Sequence, residues 1–180
     1  MPLCARCTGI YIGVFLAFCY LFLRKRMAGN RPFSMGEAVL TGGAILLVGV
    51  DGVGSYLGAW ESSQLSRILT GSLVGAVVPA FLLLAVNFDP VGKNELPLYE
   101  KPTELPLLLL ASAGFGLLLW GGLPLAGIGA VLSVAGEVLL WGGLVWLVLK
   151  NLLGRRRLPY WRLSLLSSFV LLFLIGGMVA

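Results

Sequence analysis

The chain contains no histidine. That removes the commonest metal ligand and the usual general base near neutral pH. Charge is scarce as well: Asp, Glu, Lys and Arg make up only 12% of the 180 residues, against about a quarter in ordinary soluble domains. A water-facing surface of normal polarity cannot be built from this composition. Three cysteines cannot all pair with one another, which excludes a secreted disulfide scaffold. The first apolar run does not read as a signal peptide either, because its basic cluster, Arg24-Lys25-Arg26, follows it instead of preceding it.

What the chain does have is apolar length. Hydrophobic residues make up 58% of it. Residues Ile68 to Phe88 and Leu163 to Ala180 carry no charge, and Leu105 to Lys150 carry only Glu137 before the final lysine. Each stretch is long enough to cross roughly 30 Å of hydrocarbon as a helix. Helices are expected because lipid offers backbone N–H and C=O groups no partner. The reading is an all-α, polytopic transmembrane helix bundle forming one integral membrane domain over residues 1–180. Six spans are expected, at about 7–23, 38–57, 63–86, 104–120, 124–150 and 162–179. Thr103 is the expected N-cap of the fourth, with Pro106 tolerated in its first turn.

Of the 13 Lys and Arg residues, all but Arg6 and Arg67 fall in the connections after spans one, three and five. With six spans these connections share one side, which the positive-inside rule assigns to the cytoplasm. Both termini then lie outside, in a multi-pass protein of the cell membrane. The net charge of +5 is read as this loop bias, with the bilayer as partner and no nucleic acid.

Arg6 and Arg67 share the extracytoplasmic end with Asp51, Glu61 and the pair Cys4 and Cys7. Cys4, Cys7 or Thr8, and Tyr11 recur at three- and four-residue steps and share a helix face. Asp51 and Glu61 set against Arg6 and Arg67 read as a charge-balanced polar pocket, since ionisable groups at membrane depth are costly and point to function. Two planar guanidinium forks suit a phosphate or carboxylate. The bland alternative is a well-capped third helix, with Glu61, Ser62 and Ser63 at its start and an arginine reaching the headgroups. Three readings of Cys4 and Cys7 stay open: a disulfide or thiol-exchange couple, half of a zinc site that would need Asp51 or Glu61 as further ligands, or thiols that pack helices. Cys19 reads as core. Glu137, in the middle of span five, is either a proton relay or a structural hydrogen-bonding group. Gly9/Gly13, Gly54/Gly58 and Gly71/Gly75 form GxxxG steps that would draw spans one to three together.

The stretches PLCARCTGIYIG (2–13) and DGVGSYLGAWESSQLSRILTGSLVG (51–75) resemble a family of predicted prokaryotic membrane proteins, domain of unknown function 2085. The match reaches Pro2, Cys4, Arg6, Cys7, Thr8, Gly9, Tyr11 and Gly13, then Asp51, Gly52, Glu61, Ser62, Arg67, Thr70 and Gly71. Gln64 stands where asparagine is expected, and spans four to six carry no matching motif. The resemblance implies a further Cys-His segment upstream of the cysteine pair, which with Cys4 and Cys7 would make a zinc set. Its absence here suggests a misplaced start at Met1 or a lineage loss. The resemblance supplies no reaction.

Together these features suggest a membrane-embedded enzyme or carrier that binds an anionic ligand, phosphate-bearing or lipidic. Arg6 and Arg67, with Tyr11, Ser62 and Thr70, would bind it, and Asp51 and Glu61 would orient the arginines or move protons. The alternatives are a thiol-disulfide redox or zinc-binding protein using Cys4 and Cys7, and a non-catalytic membrane subunit.

Overall fold

The computed structural model describes residues 4–90, 92–121 and 126–153. Among them are five helices and no strand: α1 (Ala5–Leu23), α2 (Met35–Tyr56), α3 (Gln64–Asn87), α4 (Glu104–Trp120) and α5 (Ala126–Leu153). Each matches one expected span to within a few residues. The expected sixth span, 162–179, lies outside the described residues. Four of the helices, Ala5–Leu23, Met35–Tyr56, Gln64–Asn87 and the Gly127–Lys150 part of α5, are long and apolar enough to cross a membrane. Helix α4 has 17 residues and reaches about 25 Å, short of the roughly 30 Å hydrocarbon layer.

Local chemistry explains the boundaries. Helix α2 begins at Met35, earlier than expected, because the Ser34 N–H donates to the Glu37 carboxylate at 2.8 Å, half of a capping box. Gly36 is therefore helical. The same helix stops in a Schellman turn: Gly58 adopts φ +72°, and the Ala59 N–H returns to the Gly54 carbonyl at 2.9 Å. Ser63 caps α3 by accepting from the Ser66 N–H at 3.1 Å. Thr103 does not cap α4 with its hydroxyl. The Glu104 carboxylate instead accepts from the Glu100 N–H and turns toward Arg24 and Arg26.

The bundle is organised on α1 and α3, which make the most extensive contact, with α5 against α1 and α4 against α3. Glycine makes that closeness possible. A Cβ at Gly9 would meet the Ile68 carbonyl, and one at Gly13 the Ser72 carbonyl. A Cβ at Gly71 would meet the Arg6 carbonyl, and one at Gly75 the Ile10 carbonyl. Because the numbers rise together on both sides, α1 and α3 run parallel, backbone against backbone. The third GxxxG step behaves differently. Gly54 makes room for the Trp60 indole, and Gly58 meets nothing within 4 Å, so that pair ends a helix and does not join two. Below the glycine contact, Ala17, Leu21, Ala76, Ala80, Leu83 and Leu105 form the buried core.

The end of the bundle remote from Cys4 holds a polar network built from residues that in the sequence stand only as loop charge. Glu104, 6% exposed, pairs with Arg24 at 2.9 Å and Arg26 at 2.8 Å, and Arg26 also pairs with Glu100 at 2.7 Å. The Asn87 amide donates to the Met27 carbonyl at 2.8 Å, and the Asn30 side chain accepts from the Leu96 N–H at 3.0 Å. These bonds fasten the loop after α1 to the segment between α3 and α4.

Candidate functional site

At the opposite end, α1, α2 and α3 bring the expected residues together around Asp51. Its carboxylate is 7% exposed and has four partners. Arg6 donates to Oδ2 at 2.6 Å, Ser62 and Ser66 donate to Oδ1 at 2.7 and 2.8 Å, and Thr70 reaches Oδ2 at 3.4 Å. A buried carboxylate is tolerated only when its lone pairs are filled in this way. The Thr70 hydroxyl also donates to the Ser66 carbonyl at 2.8 Å, which ties it to its own helix. The Arg6 guanidinium lies against Gly52, and a Cβ there would meet its Nη1 at 3.4 Å, an ordinary contact.

Ser66 was not among the expected site residues. The signal was present, because Ser62, Ser66 and Thr70 repeat at four-residue steps and so line one side of the entry to α3. Only one of the two expected charge pairs forms. Arg67 makes no ion pair among the described residues, and its Nε is buried without a hydrogen-bond partner, as is the Nε of Arg6. Arg67 stands one turn before Gly71, which receives the Arg6 carbonyl, and so lies level with the first turn of α1. Glu61 is exposed in the α2–α3 connection, because Ser63 takes the N-cap position and Ser62 turns inward to Asp51.

The cysteines occupy the start of α1. Cys4 is the N-cap residue, and its sulfur accepts from the Cys7 N–H at 3.3 Å. The two Sγ atoms lie 2.7 Å apart and both thiols are free. Cys4 is exposed and Cys7 half-buried. Burial opposes ionisation of the Cys4 thiol. The Cys7 thiol, the Cys7 and Arg6 backbone N–H groups and the Arg6 charge together outweigh it and hold the thiol below its ordinary range. Among the described residues no group of three or more His, Cys, Asp or Glu could hold a metal ion. Cys4 and Cys7 thus offer two of the four ligands that a structural zinc takes, and Asp51 is engaged elsewhere.

Tyr11, one turn beyond Cys7, faces α5 and not the arginines. There its hydroxyl interacts electrostatically with the Glu137 carboxyl. The contact is close because a Cβ at Gly136 would land on the Tyr11 carbonyl. Glu137 therefore finds its partner across a helix interface. Cys19 is half-buried, deep in α1 and remote from the first pair.

Known proteins match the part of the chain that builds this site. The family described as "Predicted membrane protein (DUF2085)" matches residues 1–81, which hold α1, α2, most of α3 and every residue around Asp51. An uncharacterised protein of Methanocaldococcus jannaschii is 32% identical over 95 residues, which cover 52% of this chain and 58% of that protein. An uncharacterised protein of Methanothermobacter thermautotrophicus is 34% identical over 87 residues, 47% of this chain and 67% of that protein. The chain thus spans little more than half the length of the first relative. No solved structure matches it. Apolar helices of spanning length, the glycine-mediated contact of α1 with α3 and the polar cluster at their start all fall within or overlap the matched segment, and on this ground the chain belongs to the DUF2085 family of predicted membrane proteins.

Proposed function

We propose that this membrane protein performs thiol–disulfide exchange at the end of the bundle where α1 begins, with Cys4 as the attacking thiol and Cys7 as the resolving one. The observation that carries this reading is the position of Cys4. It is an exposed helix N-cap residue whose sulfur accepts the Cys7 N–H and lies beside the Cys7 thiol. The positive pole of α1 and the neighbouring Arg6 both favour a thiolate there. The Cys4 thiolate attacks one sulfur of a partner disulfide, forming a mixed disulfide and releasing the partner's other sulfur as a thiolate. Cys7 then gives up its proton and attacks the Cys4 sulfur, closing the Cys4–Cys7 disulfide and releasing the second partner sulfur. Two electrons and two protons pass to the partner, which becomes a dithiol.

In the orientation set by the basic loops, this end faces out of the cytoplasm, where disulfides persist. The natural partner class is then an extracytoplasmic protein disulfide. The test uses the full chain in detergent with oxidised glutathione. Cys7→Ser should accumulate glutathione on Cys4, Cys4→Ser should not, and the unaltered chain should pass through the adduct to an internal disulfide. Exchange that continues unchanged in the Cys4→Ser, Cys7→Ser double variant would sink the reading.

A second reading, binding of an anion, is favoured by one specific observation: the buried, unpartnered Nε of Arg67 beside the start of α1. In that case Asp51, with both oxygens engaged, orients Arg6 and does not transfer protons. Arg67→Lys keeps the charge and loses the fork. It should abolish anion binding in equilibrium dialysis against inorganic phosphate while leaving glutathione exchange intact. Phosphate retention equal to that of the unaltered chain would remove this second reading.

A further inference from the structure

We propose that the end of the bundle remote from the cysteines binds an anionic phospholipid, with the headgroup over Lys93 and Lys150 and one acyl chain in the cleft between α1, α3 and α5. The site is independent of the thiol chemistry above.

Two adjoining cavities carry it. The first, about 290 Å³, lies among Phe18 of α1, Leu82 and Val86 of α3, and Val138 and Trp146 of α5. Its lining is almost wholly apolar, and Gly142 and Gly143 leave width that side chains would otherwise fill. The second, about 430 Å³, opens where α3 and α5 end and is lined by Asn30, Asp89, Lys93 and Lys150. Val86 belongs to the wall of both, so the polar basin stands at the mouth of the apolar cleft. An occupant that fills both has a polar head and a hydrocarbon tail. In a membrane that description fits a lipid.

The sign of the headgroup follows from the basin. The Lys150 ammonium donates to the Val86 carbonyl, which fixes it at the mouth and leaves two of its three donors for a ligand. Lys93 is exposed and forms no ion pair among the described residues. Asp89 offsets one of these charges, so the basin remains positive. Asn87 is not a ligand, because its amide is spent on the Met27 and Gly29 carbonyls. That bond instead holds Met27 against the apolar cavity, whose wall it completes. A phosphate ester with no compensating ammonium matches this basin. A zwitterionic headgroup does so less well, and each lysine near the surface should contribute about fivefold to the preference.

Trp146 lines the cleft and serves as the probe. The full chain is placed in vesicles containing either phosphatidylglycerol or phosphatidylcholine brominated on its acyl chains. The share of quenching due to Trp146 is taken by difference from the Trp146→Phe variant. Brominated phosphatidylglycerol should quench it at a mole fraction about fivefold or more below that required of phosphatidylcholine. Lys93→Gln with Lys150→Gln should erase that preference while leaving helix content unchanged. Val138→Phe, which narrows the cleft, should reduce quenching by both lipids. Soluble glycerol phosphate should not displace the lipid. Equal quenching by both lipids in the unaltered chain would overturn the proposal. So would displacement by glycerol phosphate, which would mean a free-anion site, or no quenching by either lipid, which would mean that another part of the chain fills the cleft.

Discussion

At the scale of single residues, Asp51 is the centre on which three helices agree. Asp51→Asn keeps the shape but leaves the half-buried Arg6 without its counter-charge. The expected loss is about 3 kcal/mol, at the low end for a broken buried pair because Arg6 keeps some contact with solvent. Ser66→Ala removes one of four acceptor bonds and should cost about 1 kcal/mol. Both can be read as thermal unfolding midpoints in detergent, and equal midpoints for the two variants would contradict this ordering. Cys4 gives a pH-dependent prediction. Its thiol is held below the ordinary range, so the reactive thiolate gains population as pH rises through a midpoint lower than that of a free cysteine. Alkylation of Cys4, followed by mass spectrometry across pH, should show this, and Arg6→Gln should move the midpoint upward. Arg6 and Asp51 were legible in the sequence because charge near an apolar span is rare. The exposure of Glu61 was not, because it depends on which residue of Glu61-Ser62-Ser63 takes the N-cap, and all three are competent to do so.

At the scale of elements, glycine decides what touches what. Gly75 and Gly136 press against the Ile10 and Tyr11 carbonyls, with no room for a Cβ, whereas Gly42 and Gly49 meet nothing within 4 Å. Gly75→Ala should therefore push α1 from α3 and cost about 1–3 kcal/mol, as overpacking does. Gly42→Ala should be neutral or stabilise by up to about 1 kcal/mol through helix propensity. Comparing their unfolding midpoints checks the assignment of interfaces, and a reversed order would refute it. The five described helices were readable from apolar length and punctuation alone. Two of the three GxxxG steps proved to be interfaces, and the third could not be told from them by spacing. The difference lies in Trp60, which folds back onto Gly54, and in the left-handed turn at Gly58. Both are decided by how the chain leaves α2.

At the scale of the whole molecule, the described helices alternate direction. Cys4 and the Asp51 cluster therefore share one end, while Arg24, Arg26, Glu100, Glu104 and Lys150 share the other. Placing the first end outside the cytoplasm rests on the basic loops. A membrane-impermeant maleimide should label Cys4 in intact cells and should label a cysteine introduced at Glu95 only after lysis. The reverse pattern would invert the orientation. The network joining Arg24 and Arg26 to Glu104 lay beyond the sequence reading for a physical reason. Basic residues that set orientation and basic residues that hold loops together look alike until the acids they meet are placed.

The parallel contact of α1 with α3 has a consequence for how the protein is made. Two parallel spans cannot meet until an antiparallel one has carried the chain back across the bilayer. The helix that bears the cysteines therefore emerges from the ribosome without its partner and waits while α2 and then α3 are synthesised. Arg6 has no carboxylate until α2 brings Asp51, Gly9 and Gly13 face lipid until α3 arrives, and Cys4 and Cys7 meanwhile meet whatever oxidants surround the nascent chain. Only Cys7 gains partly buried surroundings when the third crossing is complete, while Cys4 stays exposed, so the redox history of the pair begins before its fold does.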